Sequence, residues 1–231
     1  SRPQTADYDL IVVGGGMVGA AFACALGDRP LRIAVIEPYE APRQWDGEGF
    51  DNRVSAITRA TERVFRAVGA WEGMVARQTQ PYQKMHVWDA TGAGVVHFDA
   101  ADLGEPNLGH IVENRVILAA LLECMAEFEN IDFLCPAEVT KVEWGGMQQL
   151  TLADGRTLTA PLVVGADGSR SWVRREAGIE TTGWGYDQTA VVATIKTSRH
   201  HQDTAWQRFM PTGPLAFLPL PQGYSSIVWS T

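Results

Sequence analysis

The sequence predicts an α/β fold, because strand-like and helix-like segments alternate and two glycine-rich turns each follow a predicted strand. Residues 8–13 (YDLIVV) are mostly apolar and lead directly into Gly14, Gly15 and Gly16. A second apolar run, residues 158–164, ends in the turn Gly-Ala-Asp-Gly. After residue 185 the pattern becomes rich in strands separated by Pro and Gly. We therefore expect a Rossmann-like domain interleaved with a β-sheet domain.

The composition is that of a soluble, globular protein, with 45% hydrophobic and 20% charged residues among 231. The net charge of −8 repels phosphate backbones, so nucleic acid is not an expected partner. Cys24, Cys124 and Cys135 lack the spacing of a zinc or disulfide framework. We expect small buried thiols in a cytoplasmic protein. No apolar run approaches the ~18 residues of a membrane span, although a lipid-like substrate would still permit peripheral membrane contact.

Residues 8–37 predict one βαβ unit. The strand at residues 8–13 is followed by an Ala-rich helix at residues 17–26, which Gly27 and Pro30 bring to an end. Residues 32–37 (RIAVIE) form the second strand. The whole unit has about the ~30 residues expected of this arrangement.

The following elements are predicted from periodicity and turn residues. Residues 38–51 form a connection, residues 54–68 have helical spacing, and a hairpin has its strands around residues 85–87 and 96–98. Apolar residues at helical spacing over 111–128 predict a long helix that begins near Glu113 and Asn114. Strands are expected at residues 132–134, 137–144, 149–152, 158–164, 189–197, 205–210 and 225–230, with a hairpin turn at Asp154 and Gly155.

The first glycine-rich turn has the spacing of a dinucleotide-binding loop and lies between a predicted strand and a predicted helix. In such a loop Gly14 permits the tight turn, Gly16 lets a diphosphate approach the backbone, and Gly19 lets helix and strand pack closely. The phosphates would rest on the helix N-terminus, at Met17 and Val18, where free N–H groups and the dipole favour negative charge.

Glu37 closes the second predicted strand, where the dinucleotide-binding pattern has an acid that accepts hydrogen bonds from the ribose hydroxyls. A carboxylate there would repel a 2′-phosphate, which favours NAD or FAD over NADP. The alternative is a structural glycine turn followed by a surface glutamate, and it stays open on these residues alone.

Residues 162–174 (LVVGADGSRSWVR) resemble the Gly-Ala-Asp-Gly-x-x-Ser-x-x-Arg segment of class A flavoprotein monooxygenases. In that group the Asp-Gly turn lies near the FAD diphosphate and assists the nicotinamide cofactor. The resemblance therefore implies FAD as the cofactor, NAD(P)H as co-substrate, and a cofactor-binding role for Asp167 and Gly168.

The resemblance also implies three further cofactor contacts. Arg53, in DNRVSAI, and Arg115, in IVENR, match arginines that contact FAD in the family. A guanidinium offers forked donors to phosphate oxygens, which suits both positions. Val139 aligns with the segment whose backbone meets the adenine.

Residues 206–220 and 225–230 resemble the substrate-domain segment of ubiquinone-biosynthesis hydroxylases, and residues 213–220 (GPLAFLPL) are the most specific part. The resemblance covers nearly the whole chain. It implies an FAD-dependent monooxygenase that uses NAD(P)H and O2 to hydroxylate a polyprenylated phenol, with other ubiquinone-biosynthesis proteins as partners. A purely structural alternative for residues 213–220, proline-punctuated edge strands, is compatible with the same function. The alternatives are a class A hydroxylase of another aromatic compound and a non-catalytic FAD-binding assembly subunit.

We expect residues 1–80 and 109–184 to form the FAD-binding domain. Residues 81–108 would add a hairpin to a substrate domain completed in part by residues 185–231. The family's third FAD motif, a Gly-Asp segment, has no copy here, so the chain is expected to be truncated at its C-terminus. No residue is assigned a catalytic role. The five histidines predict no metal site, and His200 and His201 are expected in a solvated loop.

Overall fold

The structure is a computed structural model that describes residues 5–41 and 49–231. In chain order its first elements are β1 (Leu10–Val13), α1 (Met17–Cys24), β2 (Ile33–Ile36), β3 (Val54–Thr58), α2 (Arg59–Ala67), α3 (Trp71–Arg77), β4 (Gln80–Tyr82), β5 (Lys84–Asp89), β6 (Val95–Asp99), β7 (Gly109–Glu113) and α4 (Asn114–Ala126). They continue with β8 (Ile131–Leu134), β9 (Val139–Glu143), β10 (Gln148–Leu152), β11 (Thr157–Ala160), β12 (Leu162–Gly165), α5 (Trp172–Glu176), β13 (Ala190–Lys196), β14 (Thr204–Met210), β15 (Gly213–Pro219) and β16 (Tyr224–Ser230).

Backbone contacts divide the chain into two compact units. Among the described residues, unit 1 contains 5–41, 67–73 and 118–182, and unit 2 contains 49–66, 74–117 and 183–231. These bounds differ from the predicted domains, because residues 49–66, 74–80 and 109–117 fall in unit 2. Which ligand each unit holds stays a prediction.

Unit 1 is built on a parallel sheet with the strand order β12-β1-β2-β8. All residues of β1 and β2 are buried, as expected for central parallel strands covered on both faces. An antiparallel sheet, β11-β10-β9, packs into the same core, where Ile11, Ile36 and Leu150 meet. Burial of such a core is the main source of the unit's stability.

Unit 2 contains a six-stranded sheet with the order β13-β16-β15-β14-β5-β6, in which only the pair β14 and β5 is parallel. A three-stranded sheet, β3-β7-β4, belongs to the same unit. The core of unit 2 includes Tyr82, Ile111, Ala205 and Leu220. Among the described residues, no helix has both the length and the apolar character needed to cross a bilayer.

The predicted βαβ unit, the hairpin of β5 and β6, the turn at Gly155 and the start of α4 at Asn114 are confirmed. The single helix predicted over residues 54–68 is wrong in its first part. Residues 54–58 form β3 instead, which pairs with β7. Residues 111–113, which precede the predicted start of the long helix, lie in β7. At residues 54–58 long-range strand pairing overrides the local helical spacing.

One prediction about a strand is also wrong. The strand predicted over residues 158–164 is divided at Pro161 into β11 and β12, which belong to different sheets. Proline lacks the N–H that continues a ladder. The alternative of edge strands for residues 213–220 is not what the structure has, since β15 lies between β14 and β16 with Pro214 and Pro219 near its ends.

Candidate functional site

A cleft of about 510 Å³ opens in unit 1 at the carboxyl ends of β1, β2 and β12. Open parallel sheets bind ligands at this edge, because the loops that follow the strands meet there. Six residues of the sequence prediction line it: Gly14, Gly16, Glu37, Val139, Asp167 and Gly168. The structure thus brings together segments that are far apart along the chain.

Gly14 and Gly19 are required by packing. Gly14 has φ +108°, which side chains rarely adopt, and a Cβ there would collide with the carbonyl oxygen of Ala166. A Cβ on Gly19 would collide with the carbonyl oxygen of Gly14. The two glycines therefore let β1, α1 and the turn after β12 approach one another closely.

Gly16 is different, because no described residue requires a glycine there. Its backbone is extended, with φ −71° and ψ −172°, and a Cβ would meet no described atom within 4 Å apart from those of its chain neighbours. Gly16 is the N-cap of α1 and lines the cleft. Its missing side chain leaves open space at a helix N-terminus, where free N–H groups attract anions.

Met17 and Val18 form the first turn of α1, and Val18 is 72% exposed. Backbone N–H groups in a first helical turn have no acceptor within the helix. These two residues therefore contribute backbone donors to the open N-terminus.

Glu37 follows β2 and is held by two backbone donors. One carboxylate oxygen accepts a hydrogen bond from the Gly15 N–H at 2.8 Å, and the other accepts from the Tyr39 N–H at 3.1 Å. A Cβ on Gly15 would lie 2.8 Å from the Cβ of Glu37, so Gly15 makes room for this arrangement. A carboxylate has about four acceptor positions, which leaves capacity for ligand hydroxyls.

Asp167 faces α5. Its carboxylate accepts hydrogen bonds from the Ser171 hydroxyl, from the Trp172 N–H at 2.6 Å and from the Val173 N–H at 3.1 Å. The adjacent Gly168 has φ +84°, so the turn needs a glycine. The carboxylate of Asp167 therefore holds the start of α5 and shapes the turn.

Arg53 and Arg115 lie in unit 2. Arg53 is exposed, and its carbonyl oxygen accepts a hydrogen bond from the Asn114 N–H at 2.9 Å. Arg115 donates from Nε to the buried carboxylate of Glu113 and from Nη2 to the Gly49 carbonyl, each at 2.9 Å. The guanidinium of Arg115 is thus fixed in direction before any ligand binds.

Several residues that line the cleft were not predicted from the sequence: Tyr39, Glu138, Arg170, Trp172 and Arg175. Arg170 and Trp172 stand inside the Gly-Ala-Asp-Gly segment that carried the resemblance. Their position next to that motif is the sequence signal from which a place in the cleft could have been predicted. An isolated arginine usually means a solvated surface position.

The predicted solvated loop at His200 and His201 is wrong for His201, which is 6% exposed. Its ligand atoms lie within 4.8 Å of those of His200 and Asp203. Both ring nitrogens of His201 are already engaged, since Nδ1 accepts from the Asp203 N–H at 3.0 Å and Nε2 lies 2.8 Å from the Leu220 carbonyl oxygen. The ring therefore secures a tight turn.

Comparison with protein families matches the chain to the FAD binding domain family over residues 7–230. Among curated relatives, the chain is 40% identical to the mitochondrial ubiquinone biosynthesis monooxygenase COQ6 of Danio rerio, 38% to the ubiquinone hydroxylase UbiL of Rhodospirillum rubrum, and 37% to 3-demethoxyubiquinol 3-hydroxylase of Escherichia coli. These alignments cover 97%, 96% and 96% of this chain and 49%, 51% and 56% of the relatives. The chain therefore spans about half the length of these proteins.

Two solved structures have similar folds. PqsL from Pseudomonas aeruginosa, described as a probable FAD-dependent monooxygenase, superposes with a TM-score of 0.80 at 22% identity over 96% of this chain and 60% of its own. The p-nitrophenol 4-monooxygenase PnpA from Pseudomonas putida gives 0.81 at 18% identity, over 96% and 57%. At these identities the likeness concerns the fold alone.

Proposed function

The chain belongs to the FAD binding domain family, and on that premise we propose that it is the FAD-binding portion of a monooxygenase of ubiquinone biosynthesis. The complete enzyme would hydroxylate the aromatic ring of a polyprenylated phenol, with NAD(P)H and O2 as co-substrates. FAD, when bound, supplies the redox chemistry. This chain supplies binding and orientation.

The observation that carries the proposal is the open space at Gly16. The fold needs glycine at Gly14 and Gly19, but a Cβ at Gly16 would meet no described atom within 4 Å apart from those of its chain neighbours. A glycine that packing does not require, at a helix N-terminus inside a cleft, fits a ligand that needs that space. A diphosphate has the charge and the acceptors for such a position.

The other lining residues fit the remaining parts of the same cofactor. Glu37 has acceptor capacity for the ribose hydroxyls, and the backbone around Val139 would meet the adenine. Gly168 would let the turn after β12 approach the diphosphate. We assign Asp167 to shaping that turn, because its carboxylate is occupied by three donors of the chain.

Arg53 and Arg115 are proposed as additional donors to FAD. The case is stronger for Arg115, since Glu113 and the Gly49 carbonyl already orient its guanidinium. A pre-oriented guanidinium loses less side-chain entropy when it binds a phosphate.

The substrate assignment is supported by the names of the relatives, which include ubiquinone biosynthesis monooxygenases and a 3-demethoxyubiquinol hydroxylase. It is supported also by residues 213–220, which dinucleotide binding alone does not require. A prenylated phenol is strongly apolar, so contact with a membrane surface and with other proteins of the same pathway belongs to this proposal.

The test is product identification. The full-length protein that contains this chain would be purified, loaded with FAD, and incubated with NAD(P)H, O2 and candidate prenylated phenols. We expect mass spectrometry to detect a product heavier by one oxygen atom, labelled when ¹⁸O2 is supplied. FAD binding without any hydroxylated product would contradict the enzyme assignment and favour an assembly role. Hydroxylation restricted to unprenylated aromatics would contradict the substrate class.

A further inference from the structure

All five histidines lie in the described part of the chain, and the fold uses three of them. The ring of His110 lies beside a buried carboxylate, and ring nitrogens of His200 and His201 accept hydrogen bonds from backbone N–H groups. Within residues 5–41 and 49–231, the imidazoles of His86 and His97 make no hydrogen bond or ion pair. The nitrogens of these two rings are therefore available to a ligand.

His86 and His97 lie directly opposite each other in the hairpin of β5 and β6. Three positions further along the same ladder, the Asp89 N–H donates to the Gly94 carbonyl at 2.9 Å. Hydrogen-bonded and non-hydrogen-bonded pairs alternate in an antiparallel ladder, so the two histidines form a non-hydrogen-bonded pair. Side chains approach each other most closely at such pairs. The spacing along the chain does not reveal this pair, because the strand register brings it together.

The distance between the two rings suits a shared metal ion. The ring centroids of His86 and His97 are 5.7 Å apart, and the ring planes make an angle of 61°. Two imidazoles bound to one ion through bonds of about 2.0–2.1 Å have centroids roughly 4.5–6.4 Å apart, depending on the bond angle at the metal. The observed separation falls within this range. His97 is exposed, so its ring can turn toward a shared ion by a change of rotamer alone.

His86 is the more rigid member of the pair. It is half-buried, and its ring centroid lies 5.4 Å from that of Trp88 and 5.3 Å from that of Trp206. Neither ring nitrogen of His86 is among the buried atoms that lack a partner, so both nitrogens reach solvent. A ligand atom held in place by packing loses less side-chain entropy when it binds.

The charges around the pair permit a cation. Side chains two positions apart on a strand share a face, so Lys84 and Asp99 are the neighbouring pair on the face that carries the two histidines. The ammonium of Lys84 lies 3.2 Å from the carboxylate of Asp99, which compensates its charge. The net charge of −8 on the whole chain favours the approach of cations.

We propose that His86 and His97 form a binding site for one transition-metal ion of the class that imidazole prefers, Zn²⁺ or Cu²⁺, with water completing the coordination. The ion would join β5 to β6 and stabilise the hairpin. Cu²⁺ should bind more tightly than Zn²⁺, and the oxygen-preferring ions Mg²⁺ and Ca²⁺ should not bind. The site lies in unit 2 and shares no residue with the cleft of unit 1, so it stands independently of the proposed function.

The experiment uses the full-length protein without a histidine tag, after treatment with a chelator. Calorimetric titrations with Zn²⁺ and with Mg²⁺ are compared for the parent protein and for the variants H86Q, H97Q and H200Q. His200 is the matched control, because it is exposed like His97 and belongs to the group His200, His201 and Asp203, whose ligand atoms lie within 4.8 Å of one another. Titration with Cu²⁺ is followed by tryptophan fluorescence, which an ion next to Trp88 and Trp206 would quench.

We expect the parent protein and H200Q to bind one equivalent of Zn²⁺ that H97Q and H86Q bind about 10- to 100-fold more weakly or not at all, since loss of even an outer partner of a metal ligand has an effect of this size. Saturating Zn²⁺ should raise the unfolding temperature of the parent protein and of H200Q but not that of H97Q. H97Q removes an exposed side chain, so this variant should fold even if H86Q does not.

Equal Zn²⁺ stoichiometry and affinity in H97Q and the parent protein would overturn the inference. A loss confined to H200Q would overturn it as well, because the ion would then belong to the group that contains His200. Binding of Mg²⁺ that H97Q abolishes to the same extent would contradict the proposed ligand class.

Discussion

Replacement of Glu37 by alanine tests the ribose-binding role. The carboxylate is fixed by the Gly15 and Tyr39 N–H groups at 2.8 and 3.1 Å, so its free acceptor positions have a defined direction toward the cleft. A hydrogen bond to an ionised group contributes about 1.5–3 kcal/mol. Loss of one such bond to a ribose hydroxyl should weaken FAD binding roughly 10- to 150-fold.

Because two backbone N–H groups donate to the Glu37 carboxylate, the substitution should also have a measurable effect on the stability of the apo-protein. Alanine at position 37 leaves the buried Gly15 N–H without its acceptor, so the apo-protein should also unfold at a lower temperature. Glutamine keeps one acceptor oxygen and the side-chain volume but loses the charge. E37Q should therefore fall between the parent protein and E37A in FAD affinity.

The assay is titration of full-length apo-protein with FAD, followed by flavin fluorescence. Glu40→Ala is the matched control, because Glu40 is an exposed acid three residues further on that does not line the cleft. Unchanged FAD affinity in E37A, or equal losses in E37A and E40A, would refute the ribose-binding role of Glu37.

Three further outcomes are expected. Asp167→Ala should lower the free energy of unfolding by about 1–3 kcal/mol in urea denaturation, because the Trp172 and Val173 N–H groups lose their acceptor; an unchanged value would contradict this stabilising role of Asp167. Burial lowers the pKa of His110 below 6.5, so stability should fall as pH drops through 6.5, and His110→Gln should flatten this dependence in pH-resolved unfolding. Burial raises the pKa of Cys24 to about 12, so mass-spectrometric mapping should find it alkylated much more slowly than Cys135; equal rates would contradict the burial.

The parts of the fold that could be predicted from the sequence are those with a strong local signal. β1 and β2 are short apolar runs that turn-forming residues follow closely, and both strands are fully buried. The glycine spacing after β1 and the acid after β2 located one wall of the cleft. Strand β3 was missed because Val54 and Ile57 fit a helical face as well as a strand, and only pairing with β7 decides between them.

The opposite wall of the cleft was predicted less completely. Sequence resemblance indicated Asp167 and Gly168, but not that the carboxylate of Asp167 is used to hold α5. Nor did it distinguish Arg170 and Arg175 from ordinary surface arginines. That distinction depends on which side chains line the cleft. The lining is set by the pairing of β1 with β12, which lie more than 100 residues apart in the chain.

The most direct test of the account is the variant Gly16→Val in the full-length protein. A Cβ at this position would meet no described atom within 4 Å apart from those of its chain neighbours, so we expect the apo-protein to keep its unfolding temperature. The valine side chain would occupy the space that the diphosphate needs, so FAD should no longer copurify with the variant or bind to it on titration. Stoichiometric FAD in the purified variant, with affinity equal to that of the parent protein, would contradict the proposed site.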